Sequence, residues 1–270
     1  MTQAVRQIET RMVEKVWGRT QLPQPFVCPQ DMRIGEIWFE PPPELPQLLV
    51  KYLFTSEKLS VQVHPSGADA LPGEDGKEEC WLVIDAVPGA KLAIGFNEPV
   101  GAERMEAAAR DGSIEDLLTW HDARPGDVYF LPAGTVHAIG PGLSLVEVQQ
   151  NSDTTFRLYD YGRPRELHLD RALSVANGGP YDPKHRGNLA ERGEALISAP
   201  HFRLDRAVGR PGAALAACYN SPLLALPLKG TVRGVRSGSA EATAGECLFA
   251  DSIDALDFSE AKVTLLTRSN

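Results

Sequence analysis

The sequence is short of cysteine and of positive charge, and both shortages exclude whole classes of protein. Its four cysteines, Cys28, Cys80, Cys218 and Cys247, lie far apart and form no C-x-x-C pair. This spacing argues against a disulfide scaffold or a zinc knuckle and fits a reducing compartment. Lysine and arginine number 27 against 36 acidic residues, which gives a formal net charge of -9. A chain this acidic lacks the basic surface that general nucleic-acid binding requires.

Long apolar runs are also missing. None of the apolar segments approaches the roughly 20 residues that a membrane-spanning helix needs. Residues 1–14 mix Arg, Gln and Glu with few apolar side chains, unlike a secretory or transit peptide. We therefore expect a cytoplasmic protein with no nucleic-acid and no membrane partner, and the sequence leaves its oligomeric state open.

Short apolar segments bounded by Gly, Pro, Asp or Ser dominate the chain. The sequence has 270 residues, 43% of them hydrophobic and 23% charged, which is typical of a globular protein that buries a full core. Segments of this length, rich in Val, Leu, Ile, Tyr and Phe, are typical of strands. We expect strands at residues 48–54, 59–64, 80–85, 91–95, 127–131, 136–139, 143–149 and 155–159. The pattern predicts an all-β fold.

One segment interrupts the strands, and a polar segment divides the chain. Residues 98–120 contain helix formers and helically spaced apolar residues, which predict a short helical insertion split near Gly112. Residues 177–192 are polar and rich in Gly and Pro, as expected of a connector. Strands are again expected at 202–208, 223–228, 231–235, 247–250 and 262–267. We therefore expect a catalytic domain over residues 1–180 and a smaller β-barrel domain over residues 195–270.

Four polar side chains form the strongest candidate site. Alternation along 59–64 places Gln62 and His64 on one face of a strand. Glu79 follows fifteen residues after His64, and His137 follows a Pro-x-Gly turn. Singly, such residues usually have structural roles, but together two imidazoles, a carboxylate and an amide suit one divalent ion such as zinc. We expect these four residues to be metal ligands.

The segment 126–137 reads G-x5-P-x-G-x-x-H and resembles the second motif of the cupin superfamily of jelly-roll barrels. The first cupin motif is altered, because Gln62-Val63-His64 replaces H-x-H and Glu79 lies far downstream. The resemblance implies cupin barrels, in a bicupin-like arrangement if the C-terminal third forms a second one.

A narrower resemblance rests on four motifs in order. These are Q-V-H-P at 62–65, G-K-E-E-C-W at 76–81, P-A-G-T-V-H-A at 132–138, and V-E-V-Q-Q-N-S-D-T-T-F-R-L-Y-D at 146–160. Together with weaker matches at 14–18 and 35–38, they are similar to type I mannose-6-phosphate isomerases over about residues 17–171. The resemblance implies a zinc-dependent aldose–ketose isomerase of carbohydrate metabolism, with one divalent ion per chain and a small sugar phosphate as substrate.

The resemblance also implies roles for individual residues. The metal ligands of the family match Gln62, His64, Glu79 and His137. Its catalytic lysine, acidic residue and arginine match Lys77, Glu147 and Arg157. Arg157 and Lys77, with Ser60 or Lys58, are then candidates for binding the substrate and its phosphate. Without the resemblance, Glu147 and Arg157 fit a cross-strand ion pair equally well.

Two other functions stay open on the sequence alone. Another cupin metalloenzyme, such as an iron-dependent dioxygenase or a different sugar-phosphate isomerase, uses the same barrel. An iron oxygenase favours two histidines and one carboxylate, so the amide of Gln62 argues against it. A non-catalytic sugar-binding cupin would not require Lys77, Glu147 and Arg157 beside a complete ligand set.

Overall fold

Strands account for most of the regular structure in the computed structural model, which describes residues 4–270. The first three residues of the expected domain 1–180 lie outside the described residues. The strands are β1 Val5–Gln7, β2 Thr10–Arg19, β3 Ile34–Phe39, β4 Leu48–Phe54, β5 Val61–Val63, β6 Glu79–Ala86, β7 Lys91–Phe96, β8 Leu118–Asp122, β9 Asp127–Leu131, β10 His137–Ile139, β11 Leu143–Gln150, β12 Phe156–Tyr159, β13 Arg186–Asn188, β14 Ala195–Ser198, β15 Phe202–Val208, β16 Leu223–Gly230, β17 Val232–Gly234, β18 Glu241–Ala242, β19 Leu248–Ala250, β20 Leu256–Asp257 and β21 Ala261–Ser269. The helices are α1 Ala102–Asp111, α2 Ile114–Leu117, α3 Leu169–Val175 and α4 Ala213–Ala216, with 3-10 turns at Pro183–His185, Ala217–Tyr219 and Ile253–Ala255.

These strands form four sheets. A seven-stranded sheet has the order β13-β9-β6-β11-β4-β3-β2, and a five-stranded sheet has the order β12-β5-β10-β7-β8. A six-stranded sheet runs β1-β19-β16-β21-β15-β14, and a three-stranded sheet runs β18-β17-β20. Every ladder within them is antiparallel.

The sheets stack through separate apolar cores. Between the five- and seven-stranded sheets lie buried residues of both, including Leu53, Ile94 and Leu145. The outer face of the five-stranded sheet is covered by α1 and α3, which pack Met105 and Ala172 against it. Because each inner face is apolar where it meets its neighbour, polar side chains between the two sheets are exceptional and mark a site.

The C-terminal sheets pack against the other face of the seven-stranded sheet. One continuous buried cluster joins Phe39 and Tyr52 of that sheet to Leu204, Phe249 and other residues of the six-stranded sheet. A further cluster fills the space between the six- and three-stranded sheets. The N-terminal strand β1 pairs with β19 and so belongs to the six-stranded sheet, although most of residues 1–180 lie in the other two.

The structure confirms the all-β class and corrects several boundaries. Strands β4, β9 and β15 match the expected segments at both ends, and Gly112, with φ of +86°, ends α1. The helical stretch ends earlier than expected, because the backbone of Leu118 is extended and Leu118–Asp122 forms strand β8, which pairs with β7. The connector 177–192 contains β13, which extends the seven-stranded sheet. Pairing with a sheet edge overrides local propensity in both cases.

No helix among the residues described here combines the length and the apolar character needed to cross a membrane.

Candidate active site

The candidate site lies between the five- and seven-stranded sheets, and the five-stranded sheet contributes one row of it. Gln62 on β5 is the register partner of His137 on β10 and of Arg157 on β12. Directly opposed residues on neighbouring strands have Cβ atoms about 4.5–5.5 Å apart on one face. His64 comes directly after β5 and two residues after Gln62, so alternation places both side chains on the same face.

Both histidines are oriented by main-chain carbonyls. Nδ1 of His64 lies 2.9 Å from the carbonyl oxygen of Thr154, and Nδ1 of His137 lies 2.9 Å from that of Thr135. A carbonyl only accepts, so each Nδ1 carries the proton and each Nε2 presents a lone pair. This tautomer is the one that a metal-binding imidazole needs.

The carboxylate of Glu79 faces both lone pairs. Its Oε2 lies 3.5 Å from Nε2 of His64, and its Oε1 lies 3.4 Å from Nε2 of His137. All three side chains are buried, and one ligand atom from each lies within 4.8 Å of the others. Nε2 of His64 has no hydrogen-bond partner among the described residues. Electron pairs brought together in a buried space repel one another unless a cation lies between them.

Gln62 completes the donor set. Its amide nitrogen lies 3.3 Å from Nε2 of His137, and its Oε1 accepts a hydrogen bond of 3.0 Å from the hydroxyl of Ser60. Turning the amide over would present its oxygen to the cluster, and Ser60 could then accept from the amide nitrogen. Two imidazoles, one carboxylate and one amide oxygen fit zinc or a similar divalent ion.

The protonation states agree with a cation site. Burial lowers the pKa of His64 to about 4, and burial also lowers the pKa of His137. Burial by itself would raise the pKa of Glu79, but the positive charge of Lys77 and the contacts with the two histidines hold it well below its usual value. Near neutral pH the cluster therefore offers two neutral imidazoles and one carboxylate, which is the ligating form of each group.

The seven-stranded sheet contributes a row of charged and aromatic side chains. Its register places Trp38, Lys51, Glu147, Trp81 and Tyr129 side by side on five consecutive strands. Nζ of Lys51 lies 2.9 Å from Oε1 of Glu147, and the indole nitrogen of Trp81 donates to Oε2 at 2.9 Å. Glu147 is thus held from both sides within the cavity.

Lys51 is shared between two carboxylates. Its Nζ lies 3.9 Å from Oε1 of Glu36, whose Oε2 accepts a hydrogen bond of 2.7 Å from the indole nitrogen of Trp38. Lys15 lies 3.3 Å from the same Oε2. Burial would lower the pKa of Lys51, but Glu147 and Glu36 together raise it. Buried and flanked by two carboxylates, Lys51 remains charged.

Lys77 joins this row to the ligand cluster. Its Nζ lies 2.9 Å from Oε2 of Glu79 and 4.0 Å from Oε1 of Glu147, and the side chain is buried. Lys15, Glu36, Lys51, Glu147, Lys77 and Glu79 therefore form a series of alternating charges that ends at the candidate ligands. This arrangement places an amine and a carboxylate within reach of one bound molecule.

A cavity of about 440 Å³ opens onto these groups. Residues that line it include Gln62, Lys77, Glu79, Glu147 and Arg157. The half-buried guanidinium of Arg157 has no carboxylate partner among the described residues. Its pKa is lowered mainly by burial and to a smaller extent by repulsion from Arg165. The space is large enough for a small polar ligand.

The structure brings most of the residues singled out by sequence into this cavity. Gln62, His64, Glu79 and His137 converge, and Lys77, Glu147 and Arg157 lie around them. Ser60 lines the cavity, but its hydroxyl is bonded to Gln62. Lys58 pairs instead with Glu115 and lines another cavity, of about 740 Å³. The alternative of a cross-strand ion pair between Glu147 and Arg157 does not hold, because the strand register places Glu147 opposite Lys51.

Sequence reasoning missed Lys51, Glu36 and the cavity-lining His168 and Arg165. A single lysine inside the apolar strand Leu48–Phe54 was the available signal for Lys51, since lysine is almost never fully buried unless paired. In the sequence, Glu36 is marked only by the weak family match at residues 35–38. His168 lacks the spacing of a metal ligand, so the sequence carries no signal for it.

Comparison with known proteins gives a consistent result. No family-level sequence model matches the chain. It is 40% identical over 166 residues to the mannose-6-phosphate isomerase of Streptococcus mutans, covering 57% of this chain and 52% of that protein. It is 34% identical over 216 residues to the probable mannose-6-phosphate isomerase GmuF of Bacillus subtilis, covering 75% of this chain and 68% of that protein. The chain thus spans about half the length of the first relative and about two thirds of the second.

The fold comparison covers nearly the whole chain. The crystal structure of mannose 6-phosphate isomerase from Bacillus subtilis superposes with a TM-score of 0.79 at 24% identity, covering 97% of this chain and 98% of that one. The cupin-like all-β fold expected from the sequence is thereby confirmed. Because a relative more than 30% identical is matched over two thirds of its length, the chain belongs to the mannose-6-phosphate isomerase family.

Proposed function

We propose that the protein interconverts mannose 6-phosphate and fructose 6-phosphate as a zinc-dependent aldose–ketose isomerase. The observation that supports this most directly is the buried cluster of Gln62, His64, Glu79 and His137 beside the amine of Lys77 and the carboxylate of Glu147. Family membership supports the same activity. A structural neighbour is described as a zinc-bound mannose 6-phosphate isomerase.

Zinc held by the four ligands would supply Lewis-acid stabilisation of the negative oxygen that develops when a proton leaves carbon. The chain's own residues divide the remaining work. Aldose–ketose conversion moves a proton between C2 and C1 of the open-chain sugar, so one group must remove it and return it. Glu147 and Lys77 are the candidates, since both are buried in the cavity and their charged atoms lie 4.0 Å apart.

Positioning of Glu147 is a prerequisite for that transfer. Lys51 and the indole of Trp81 fix its two oxygens from opposite sides. A carboxylate held in this way reaches a substrate carbon without reorganising, which is the geometric condition for efficient proton transfer. Arg157, which has no carboxylate partner among the described residues, would bind the anionic substrate from the neighbouring strand.

The remaining assignments are part of the same proposal. All the side chains that line the cavity fall between Arg11 and His168, which supports chemistry in a domain over residues 1–180 and a supporting role for residues 195–270. The four cysteines are free, which supports a cytoplasmic location. The small sugar phosphate is the one partner we propose.

A coupled assay tests the function. We expect the protein to convert mannose 6-phosphate, to lose activity on treatment with a chelator and to recover it with zinc. Oxygen consumption with Fe(II) and no isomerase turnover would identify a dioxygenase instead, and sugar-phosphate binding without turnover would identify a binding protein.

Variants test the roles of single residues. We expect Lys77→Ala and Glu147→Gln each to lower kcat at least about a hundredfold, as removal of an acid–base group commonly does. Lys91→Ala is the control, because this lysine is half exposed on the surface of β7 and does not line the proposed site. Near-normal activity in the first two variants would remove both residues from the chemistry.

A further inference from the structure

The two candidate histidine ligands differ in how their orienting carbonyls are held. Thr135, whose carbonyl accepts from His137, lies two residues before it in a turn closed by a bond of 3.1 Å from its own N–H to the carbonyl of Pro132. Thr154, whose carbonyl accepts from His64, lies 90 residues further along the chain than that histidine. It falls between β11 and β12, where the described backbone forms no strand. Contacts other than a sheet ladder must therefore fix this second carbonyl.

The hydroxyl of Ser152 is the first of these contacts. Its Oγ accepts a hydrogen bond of 3.2 Å from the main-chain N–H of Thr154 and donates one of 2.9 Å to the carbonyl of Asp75. The main-chain N–H of Ser152 donates to the carbonyl of Gln150 at 2.8 Å. Serine side chains that bond to the backbone two residues on are a common way to fix a turn. One buried hydroxyl thus joins the segment that carries Thr154 to the segment that leads into β6.

The amide of Gln149 fixes the same turn from inside. The side chain is fully buried, and its Nε2 donates to the carbonyls of Gln150 at 2.7 Å and of Ser152 at 3.0 Å. Both partners only accept, so the nitrogen must face them. Its Oε1 has no hydrogen-bond partner among the described residues. A buried carbonyl oxygen without a donor lowers stability, so stability alone does not account for an amide at this position.

Gln150 connects the turn to the segment that carries Lys77 and Glu79. Its Oε1 accepts a hydrogen bond of 2.9 Å from the main-chain N–H of Glu78, and its own main-chain N–H donates to the carbonyl of Glu78 at 3.1 Å. Glu78 lies between the candidate acid–base lysine and the candidate carboxylate ligand. The end of β11 therefore holds that segment and the acceptor of His64 in one arrangement.

We propose that Gln149 and Ser152 are positioning residues of the metal site, which fix the carbonyl of Thr154 and, through it, the Nε2 lone pair of His64. This rests on the proposed function in one respect, the binding of a divalent ion by the cluster. A carbonyl that keeps the imidazole proton on Nδ1 fixes the tautomer and the ring, and loss of such an outer contact typically weakens metal binding about ten- to hundredfold. His137 keeps its orientation, because its acceptor lies in its own turn.

Three variants and a control separate positioning from other roles. Gln149→Met keeps the length of the side chain and removes its two donors together with the unpartnered oxygen. Ser152→Ala removes the hydroxyl, and Ser152→Thr restores one. Asn151→Ala is the control, because Asn151 is exposed in the same turn and its amide nitrogen binds the carbonyl of Pro46. Ser152 also lines the cavity, whereas Gln149 does not, so Gln149→Met excludes a lost contact with the substrate as the cause.

The first readout is zinc affinity without substrate, measured by competition between the metal-free protein and a chromophoric chelator. We expect Gln149→Met and Ser152→Ala to weaken zinc binding about tenfold or more. Ser152→Thr should recover most of the loss, and Asn151→Ala should match the unmodified protein. The urea midpoint of metal-free Gln149→Met should change little, because the lost hydrogen bonds are offset by removal of the unpartnered oxygen.

The second readout is spectroscopic. The visible absorption of the cobalt(II)-loaded protein, which reports ligand geometry, should change in Gln149→Met and Ser152→Ala and stay constant in Asn151→Ala. In nitrogen-15 NMR of the zinc-loaded protein, the Nδ1–H signal of His64 should shift in the same two variants, and that of His137 should keep its position. If Gln149→Met does not fold, the comparison of Ser152→Ala with Ser152→Thr decides the same question.

The outcomes distinguish this proposal from the isomerase activity. Turnover by the unmodified protein, with zinc affinity and cobalt spectra unchanged in Gln149→Met and Ser152→Ala, would overturn the positioning role and leave the isomerase intact. An equal loss of affinity in Asn151→Ala would indicate a general weakening of the turn and would also overturn it. The expected ranking of zinc affinities without turnover by the unmodified protein would support the positioning role and refute the isomerase.

Discussion

Replacing Lys51 by methionine should destabilise the protein strongly, because this lysine is buried between two carboxylates. Its Nζ lies 2.9 Å from Glu147 and 3.9 Å from Glu36, and its side chain is 7% exposed. Lys51→Met keeps the length of the side chain and removes the charge. Breaking a buried ion pair from one side costs about 3–5 kcal/mol, since the remaining charge stays desolvated.

The structure favours the lower end of that range. Each carboxylate retains an indole N–H donor and one other cation, from Trp81 and Lys77 for Glu147 and from Trp38 and Lys15 for Glu36. We therefore expect the free energy of unfolding to fall by about 3 kcal/mol, which corresponds to a decrease in Tm of roughly 6–12 °C for a chain of this size.

Urea denaturation of the metal-free protein measures the effect. The control is Lys91→Met, because Lys91 is half exposed and lies 3.6 Å from Asp122, where an ion pair contributes about 1 kcal/mol or less. The double variant Lys51→Met with Glu147→Gln should be less destabilised than the sum of its two single changes, since it leaves no unpaired charge at this contact. A loss in Lys51→Met no larger than in the control would refute the buried-charge argument.

Three further predictions concern acid sensitivity, a hydrogen bond and a turn. The pKa of His64 is lowered from 6.5 to about 4, so between these pH values the unfolded chain binds a proton that the folded chain does not. The metal-free protein should therefore lose about 3 kcal/mol of stability as pH falls from about 6.5 to 4. Urea midpoints that stay constant across that range would contradict this. The lowered pKa of Glu79 adds a loss below about pH 4.5, in the same direction, which a Glu79→Gln variant should abolish. Trp81→Phe removes the indole donor to Glu147 and should lower kcat about tenfold or more with little change in KM, measured in the coupled assay. Gly112→Ala places a side chain at φ of +86° and should lower Tm by several degrees, reflecting about 1–2 kcal/mol of strain, as thermal unfolding would register.

The sequence predicted that the four candidate ligands would lie together because they belong to short, recognisable motifs. Alternation placed Gln62 and His64 on one face, and the Pro-x-Gly turn placed His137 at the start of its strand. The strands that carry them were also predicted to within a few residues. Patterns of this kind depend on nearest neighbours along the chain, which are visible in a sequence.

The charged row was not predicted, because it depends on strand register. Lys51 meets Glu147 only because β4 and β11 pair with Leu53 opposite Leu145, and a shift of one residue would turn either side chain to the other face. Register between strands almost a hundred residues apart is set by packing and has no local signal. For the same reason the sequence leaves open an ion pair between Glu147 and Arg157, although Arg157 lies on the other sheet.

The position of strand β1 links the unfolding of the two halves of the molecule. Strand β1, at the start of the described chain, pairs with β19. The last strand, β21, belongs to the same sheet and is separated from β19 by β16. Removing the C-terminal third would therefore leave β1 without a neighbour and would uncover the apolar side of the sheet that carries Glu147. Heat or denaturant should consequently unfold both halves in a single transition, and proteolytic removal of either end should destabilise the cavity although it lies far from the cut.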